Sequence, residues 1–195
     1  MYFQTPSWDM ILLTKINMDW RNALFDFLMP LFSSYIFLWS FAVMLLLIFL
    51  IKKDKDKVYY LLIIALSIGF CDFSTNFLKK NIGRIRPLNQ LARVHYYEDG
   101  EWRQRPPDFI PTKRKGTSYP SAHSANAMTA ATLAVIFWPG SRFWVWILPL
   151  AIGYSRVYLG KHFPTDVLAG WLYGLWTGGM IGIIYRAVLK KGGQK

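Results

Sequence analysis

Three short stretches of this 195-residue chain hold side chains able to do chemistry together. Lys79 and Arg86 bracket Lys80-Asn81-Ile82-Gly83-Arg84-Ile85, His123 follows Pro120-Ser121-Ala122, and Ser155-Arg156 precede His162 and Asp166. Phosphate spreads its negative charge over several oxygens, which Arg forks and a Lys point charge can clamp. A neutral His can attack phosphorus while a second, protonated His donates to the leaving oxygen. A carboxylate four residues after a His can hold one ring nitrogen and leave the other free. The set therefore fits phosphoryl transfer without a metal or other cofactor, the positive charge coming from side chains and backbone N–H groups.

Neighbouring residues are less decided. Asp72 and Lys79 lie two helical turns apart on one face, so Asp72 is open between a structural partner for Lys79 and a catalytic role. Arg84 is open between the site and a simple anchor. Pro120 is expected at a first helical position, where its missing N–H costs nothing. The free N–H groups of Ser121, Ala122 and His123 would then make an anion site at the helix start. His95 reads as a polar loop contact, and Lys80, Arg142, Lys190 and Lys191 as anchors whose stems lie along apolar surface. Cys71 is the only cysteine, which excludes an intrachain disulfide and leaves an inert apolar side chain.

These residues need elements to hold them. With 53% hydrophobic, 17% aromatic and 17% charged residues, the chain is too apolar for disorder and suits a membrane. A bilayer core of about 30 Å takes roughly 20 apolar helical residues. The stretches Phe32–Ile51, Val58–Leu78, Pro120–Trp138, Phe143–Leu159 and Val167–Tyr185 approach that length between charged or Pro/Gly breaks. The expected fold is an all-α polytopic membrane bundle of five to six transmembrane helices. Before it, Trp20, Ala23, Leu24, Phe27 and Leu28 recur at helical spacing opposite Arg21, Asn22 and Asp26, which predicts an interfacial amphipathic helix. No basic region precedes an apolar core there, so a cleaved signal peptide is not expected. The division is thus an interfacial segment over 1–31, a transmembrane domain over 32–189 and a basic tail over 190–195.

Inside the spans, Asp72, His123 and Arg156 all fall toward the end that carries the loop 79–119. That loop holds ten Lys and Arg, against nine on the opposite side, out of a net charge of +12. Basic residues recruited for binding would blunt the positive-inside rule in this way. Division of the charge between two faces argues against nucleic-acid binding. Within the loop, Tyr96, Tyr97, Trp102 and Phe109 alternate with charges as an interfacial lid would. Pro106, Pro107 and Pro111 favour an irregular solvated loop equally.

The three stretches resemble the signature of the type-2 phosphatidate phosphatase superfamily, which also contains bacterial class A acid phosphatases and vanadium haloperoxidases. Lys79, six residues and Arg86-Pro87 match its first part. Pro120-Ser121-Ala122-His123 match the second, with Ala122 where Gly is usual. Ser155-Arg156, His162 and Asp166 match the third. The resemblance implies His162 as a nucleophile forming a phosphohistidine, Asp166 orienting it, and His123 as general acid. It implies phosphate binding by Lys79, Arg86, Ser121, Arg156 and backbone N–H groups near Ala122, with no metal. A bacterial inner-membrane lipid phosphatase with its site facing the periplasm is then expected. Undecaprenyl diphosphate is the favoured substrate, ahead of phosphatidylglycerol phosphate and lipid A phosphate. A lipid phosphotransferase using the same site, and a non-enzymatic basic protein binding anionic lipids, are the competing readings. The bilayer and a lipid phosphate are the expected partners, and the oligomeric state is left open.

Overall fold

A computed structural model describes residues 5–192, with side chains through 188. The tail side chains of Lys190, Lys191 and Lys195 lie outside the described residues. The described elements run α1 (Ser7–Thr14), a π turn (Lys15–Asp19), α2 (Ala23–Ser33), α3 (Tyr35–Ile51), α4 (Lys55–Ile82), β1 (His95–Glu98), β2 (Glu101–Gln104), α5 (Ala122–Phe137), α6 (Ile147–Tyr158) and α7 (Pro164–Gly192).

Capping residues set several of these boundaries. Asn22 accepts from the Phe25 N–H to start α2, Asp54 accepts from Lys57 N–H to start α4, and Ser121 accepts from Ser124 N–H to start α5. Gly83, at φ +73°, ends α4 in the left-handed conformation that glycine adopts without a Cβ clash. Ser34 splits the first expected span. Its extended backbone and its hydroxyl, which accepts from Phe37 N–H, end α2 and begin α3, and the two helices meet at 65°. Serine hydroxyls compete for backbone groups in this way, so the continuous apolar run from Phe32 is broken at its start.

Two other spans come out shorter than expected. Pro120–Trp138 becomes the 16-residue α5, which begins at Ala122 because Ser121, not Pro120, occupies the cap. Phe143–Leu159 becomes the 12-residue α6, with residues 143–146 taken up in turns after the 3₁₀ turn Pro139–Ser141. At 1.5 Å per residue, about 18 Å of helix falls short of the hydrocarbon thickness. Among the described residues, α4 and α7 are each long and apolar enough to cross a membrane, and the bent pair α2–α3 makes a third such unit.

Helix α5 is the centre of the bundle, packed lengthwise on α7 and flanked by α4 and α6. Glycine makes the α5–α7 approach possible. A Cβ at Gly170 would stand 2.5 Å from the Ser121 carbonyl oxygen, and one at Gly174, a turn later, would overlap that of Ala125. Small residues four apart let two helix backbones approach closely inside a membrane bundle. This contact brings the start of α5 beside the start of α7, and so His123 near His162.

The surface of the bundle is apolar: Leu66, Phe70, Phe73 and Phe77 on α4 and Leu172, Trp176 and Ile183 on α7 point outward, and α3 buries no residue. So large an exposed apolar area suits hydrocarbon rather than water. The N-terminal helices do more than lie at an interface. Leu13, Ile16 and Met29 join Val157, Tyr158, Phe163 and Val167 in one core cluster. The amphipathic helix α2 turns its polar face inward, where Asp26 accepts from Arg21 and Tyr158, and leaves Leu24 and Phe27 exposed.

The long loop is neither all irregular nor helical. β1 and β2 form an antiparallel hairpin that pairs Glu98 with Glu101 across Asp99-Gly100, both at positive φ. Asp-Gly is the residue pair that such a two-residue turn demands. The hairpin is docked: Trp102 Nε1 donates to the Asp26 carbonyl at 3.1 Å, and the Arg21 guanidinium lies 4.0 Å above the Trp102 ring. His95, expected as a polar loop contact, instead opens β1, with its backbone N–H and carbonyl both bonded to the buried Asn17 side chain.

Candidate active site

The turn between α6 and α7 positions the third stretch. Backbone N–H groups of Lys161 and His162 both donate to the Arg156 carbonyl at 3.1 Å, folding the turn over the end of α6. His162 follows in a fully enclosed position, 1% exposed. Its Nδ1 stands 3.5 Å from Asp166 Oδ2, one helical turn on. That contact is electrostatic and too long and misaligned for a hydrogen bond, since Nδ1 otherwise has no partner. Catalytic hydrogen bonds are often loose before substrate binds. Burial pushes the His162 ring down to about 3, against the opposing pull of Asp166, so the imidazole is neutral near pH 7.

Asp166 itself is held firmly. Its Oδ2 accepts from Ser118 Oγ at 2.6 Å and from the Phe163 N–H at 2.8 Å, while Oδ1 accepts from Arg84 Nη1. Its carbonyl accepts from the Ser121 N–H at 2.9 Å, which ties the start of α5 to the start of α7. The Ser121 N–H is therefore not one of the free donors expected for an anion. Ala122 and His123, the first two residues of α5, have no intrahelical acceptor for theirs by position. The Ser121 hydroxyl accepts from Ser124 Oγ at 2.9 Å, which leaves its own proton available to donate.

Lys79, Arg86 and Arg156 converge from α4, the loop after it and α6. Lys79 is 7% exposed and lies within electrostatic reach of both arginines, and His162 of the same two. Arg156 Nη1 donates to Ser33 Oγ at 2.7 Å, but the Nε atoms of Arg86 and Arg156 are buried without a hydrogen-bond partner. His123 is close by, with Nε2 buried and unpartnered and Nδ1 3.3 Å from the Tyr35 hydroxyl. Native structures seldom leave buried polar atoms unsatisfied, so these atoms beside three cationic side chains make a candidate anion site.

Two open readings are decided. Arg84 is 3% exposed and spans two carboxylates, with Nη1 on Asp166 and Thr165 and Nη2 on Asp9 and Thr5. It belongs to the scaffold behind Asp166 rather than to the anion pocket. Asp72 is not the partner of Lys79: its oxygens accept from Asn126 at 3.1 Å and Asn76 at 3.0 Å, because the carboxylate turns to α5. Sequence reasoning missed Asp9, Ser118, Thr165, Ser33 and Tyr35. Asp9 alone carried a signal, as an acid in an otherwise apolar helix. Among the described residues, no group of three His, Cys, Asp or Glu side chains is placed to hold a metal ion.

A helical bundle with an apolar exterior thus gathers Lys79, Arg86, Arg156 and two histidines at one end. The chain belongs to the PAP2 superfamily, whose family model matches residues 56–191. It is 32% identical over 159 residues to the undecaprenyl-diphosphatase of Sulfolobus acidocaldarius, covering 80% of this chain and 66% of that one, just under two thirds of the relative's length. To the lipid A 4'-phosphatase of Bacteroides thetaiotaomicron it is 29% identical over 162 residues, covering 79% of this chain and 67% of that one. The crystal structure of Aquifex aeolicus LpxE superposes with a TM-score of 0.67 at 25% identity, covering 93% of this chain and 98% of that one. Both sequence relatives are named as phosphatases of a lipid phosphate or diphosphate.

Proposed function

We propose that this protein hydrolyses a membrane lipid phosphate or diphosphate through a metal-independent phosphohistidine. The supporting observation is the buried, partner-free set of His123 Nε2, Arg86 Nε and Arg156 Nε near His162. In the first step the lone pair of His162 Nε2 attacks phosphorus. The bond from phosphorus to the leaving oxygen breaks, and that oxygen takes a proton from His123. Lys79, Arg86, Arg156, the Ser121 hydroxyl and the Ala122 N–H balance the charge on the three equatorial oxygens. In the second step water attacks the phosphorus, the P–N bond breaks, and His123 takes the water's proton. Phosphate leaves, and His162 is again neutral. Asp166 stabilises the charge on His162 in between.

Helices α3 to α7 form the bundle at membrane depth, with α1 and α2 at the interface and the hairpin outside. The proposed division is an interfacial segment over 1–31, a transmembrane phosphatase domain over 32–189 and a basic tail over 190–195. The lipid tail stays in hydrocarbon while its phosphate reaches the pocket. Undecaprenyl diphosphate is the favoured substrate, with phosphatidylglycerol phosphate and lipid A phosphate next, and the site faces the periplasm of a bacterial inner membrane.

Phosphate release from these three lipids tests the reading, with His162→Ala as control. Release is expected to survive EDTA and to stop in the variant. Unchanged release by His162→Ala, or strict dependence on added divalent metal, overturns the mechanism. Phosphate recovered on a second lipid instead of in water makes the protein a phosphotransferase. A cysteine replacing the exposed Lys113 is expected to react with an impermeant reagent in cells with a permeabilised outer membrane. Reaction only after lysis reverses the sidedness.

A further inference from the structure

Asp9 lies in the first turn of α1, outside the residues that match the family model, and is completely buried. A buried carboxylate is costly unless it is fully partnered. Asp9 is: Oδ2 accepts from Arg84 Nη2 at 2.7 Å and from Thr165 Oγ1 at 2.6 Å, and Oδ1 accepts from the Thr165 N–H at 2.8 Å. Thr165 is the residue before Asp166, and its N–H is one of the donors at the start of α7 that the helix itself cannot satisfy. Asp9 therefore caps α7 from a distant part of the chain, next to the carboxylate that faces His162.

The shared arginine gives this cap an electrical consequence. Arg84 places one guanidinium arm on each carboxylate, so Asp9, Arg84 and Asp166 together carry one negative charge. Without Asp9, the arginine would neutralise Asp166 alone and leave no net charge to support a positive imidazole. Arg86 and Arg156 press on His162 with the opposite sign. In this enclosed site such charges are weakly screened.

We propose that Asp9 is a positioning residue for catalysis, which keeps Asp166 charged toward His162 by sharing Arg84. This rests on the phosphohistidine reading. The test compares purified full-length protein, Asp9→Asn and Asp9→Asn/Arg84→Gln, with undecaprenyl diphosphate in detergent micelles and His162→Ala alongside. Asp9→Asn keeps the shape and removes the charge. It is expected to lower kcat about 10–100-fold, as loss of a supporting partner does, with KM unchanged within about twofold. Removing the unshared arginine restores the net charge, so the double variant is expected to regain at least about threefold of the kcat lost. A purely structural cap predicts the reverse, because the second change removes further hydrogen bonds.

Asp9→Asn with unchanged kcat per folded protein overturns the proposal, and so does a double variant slower than the single one. If Asp9→Asn does not fold, the charge-balanced double variant decides: kcat within about tenfold of the unaltered protein supports the proposal, and a loss beyond about 100-fold overturns it. Activity retained by His162→Ala fails the phosphohistidine reading, and this proposal with it. An inactive His162→Ala beside an unaffected Asp9→Asn fails this proposal alone.

Discussion

Arg84 and Arg86 are two residues apart and differ in their surroundings. Arg84 is enclosed by acceptors: two carboxylates and two threonine hydroxyls take its hydrogen bonds. Arg86 is half-buried, and among the described residues its guanidinium makes no hydrogen bond or ion pair. Through its two Nη atoms the first ties Asp9 and Thr165 to Asp166. The second lies among like charges, Lys79 and Arg156, which the proposed function balances with an anion. His162 stands between them, with Asp166 on one side and Arg86 and Arg156 on the other. The contrast separates stability from binding within a single motif, because a satisfied buried charge holds the fold while an unsatisfied one waits for a ligand.

The sharpest break comes at the junction. His162→Ala is expected to lower phosphate release by about 10⁴-fold or more, as loss of a covalent nucleophile does. Residual activity near the starting level would dissolve the distinction between the two regions.

The arginine pair comes next. Arg84→Ala strands two buried carboxylates and is expected to destabilise the protein by about 3–5 kcal/mol, read as a lowered melting temperature in detergent. Arg86→Ala relieves an unpartnered cation, so its melting temperature is expected to hold while kcat/KM falls roughly 10²–10³-fold. Equal destabilisation by the two substitutions would erase the contrast.

A smaller effect tests the open region directly. Vanadate at 100 times its dissociation constant is expected to stabilise the unaltered protein by about 2.7 kcal/mol. The Arg86→Ala/Arg156→Ala protein is expected to show no such gain. Equal gains in both would locate the anion elsewhere.

Smallest is the pH response of the enclosed ring. His162 is held at about 3 against an ordinary 6.5, so between those values the unfolded chain binds more protons than the folded one. Its contribution to stability is complete above about pH 6.5 and is lost as pH falls toward 3. Melting temperature should therefore decline over that window, and His162→Gln should flatten part of the slope. An unchanged slope would mean the ring is solvated rather than enclosed.

Much of the anion side could be read from sequence. Lys79, Arg86, His123, Arg156 and His162 each sit at a helix end set by Gly, Pro or Ser, and helix order returns those ends to one side of a bundle. The carboxylate side could not. Asp9 and Arg84 are 75 residues apart, and nothing in local spacing pairs them. The hairpin had a local signal in Asp99-Gly100 between aromatic residues, which three nearby prolines obscured. Helix lengths failed for a different reason: hydropathy marks an apolar run, but Ser34 and the Pro139 turn decide by hydrogen bonding where a helix starts and stops.

The sequence by itself determined that the chain is an apolar, helical, membrane-type protein with phosphate-seeking residues gathered at one level, because those properties follow from composition and short-range periodicity. Only the tertiary structure decided which charges are paired. It gave Arg84 to Asp9 and Asp166, turned Asp72 to Asn126, and left Arg86 and Arg156 with unsatisfied nitrogens. Pairing depends on distances between segments far apart in the chain, and those distances exist only once α1, α5 and α7 have packed.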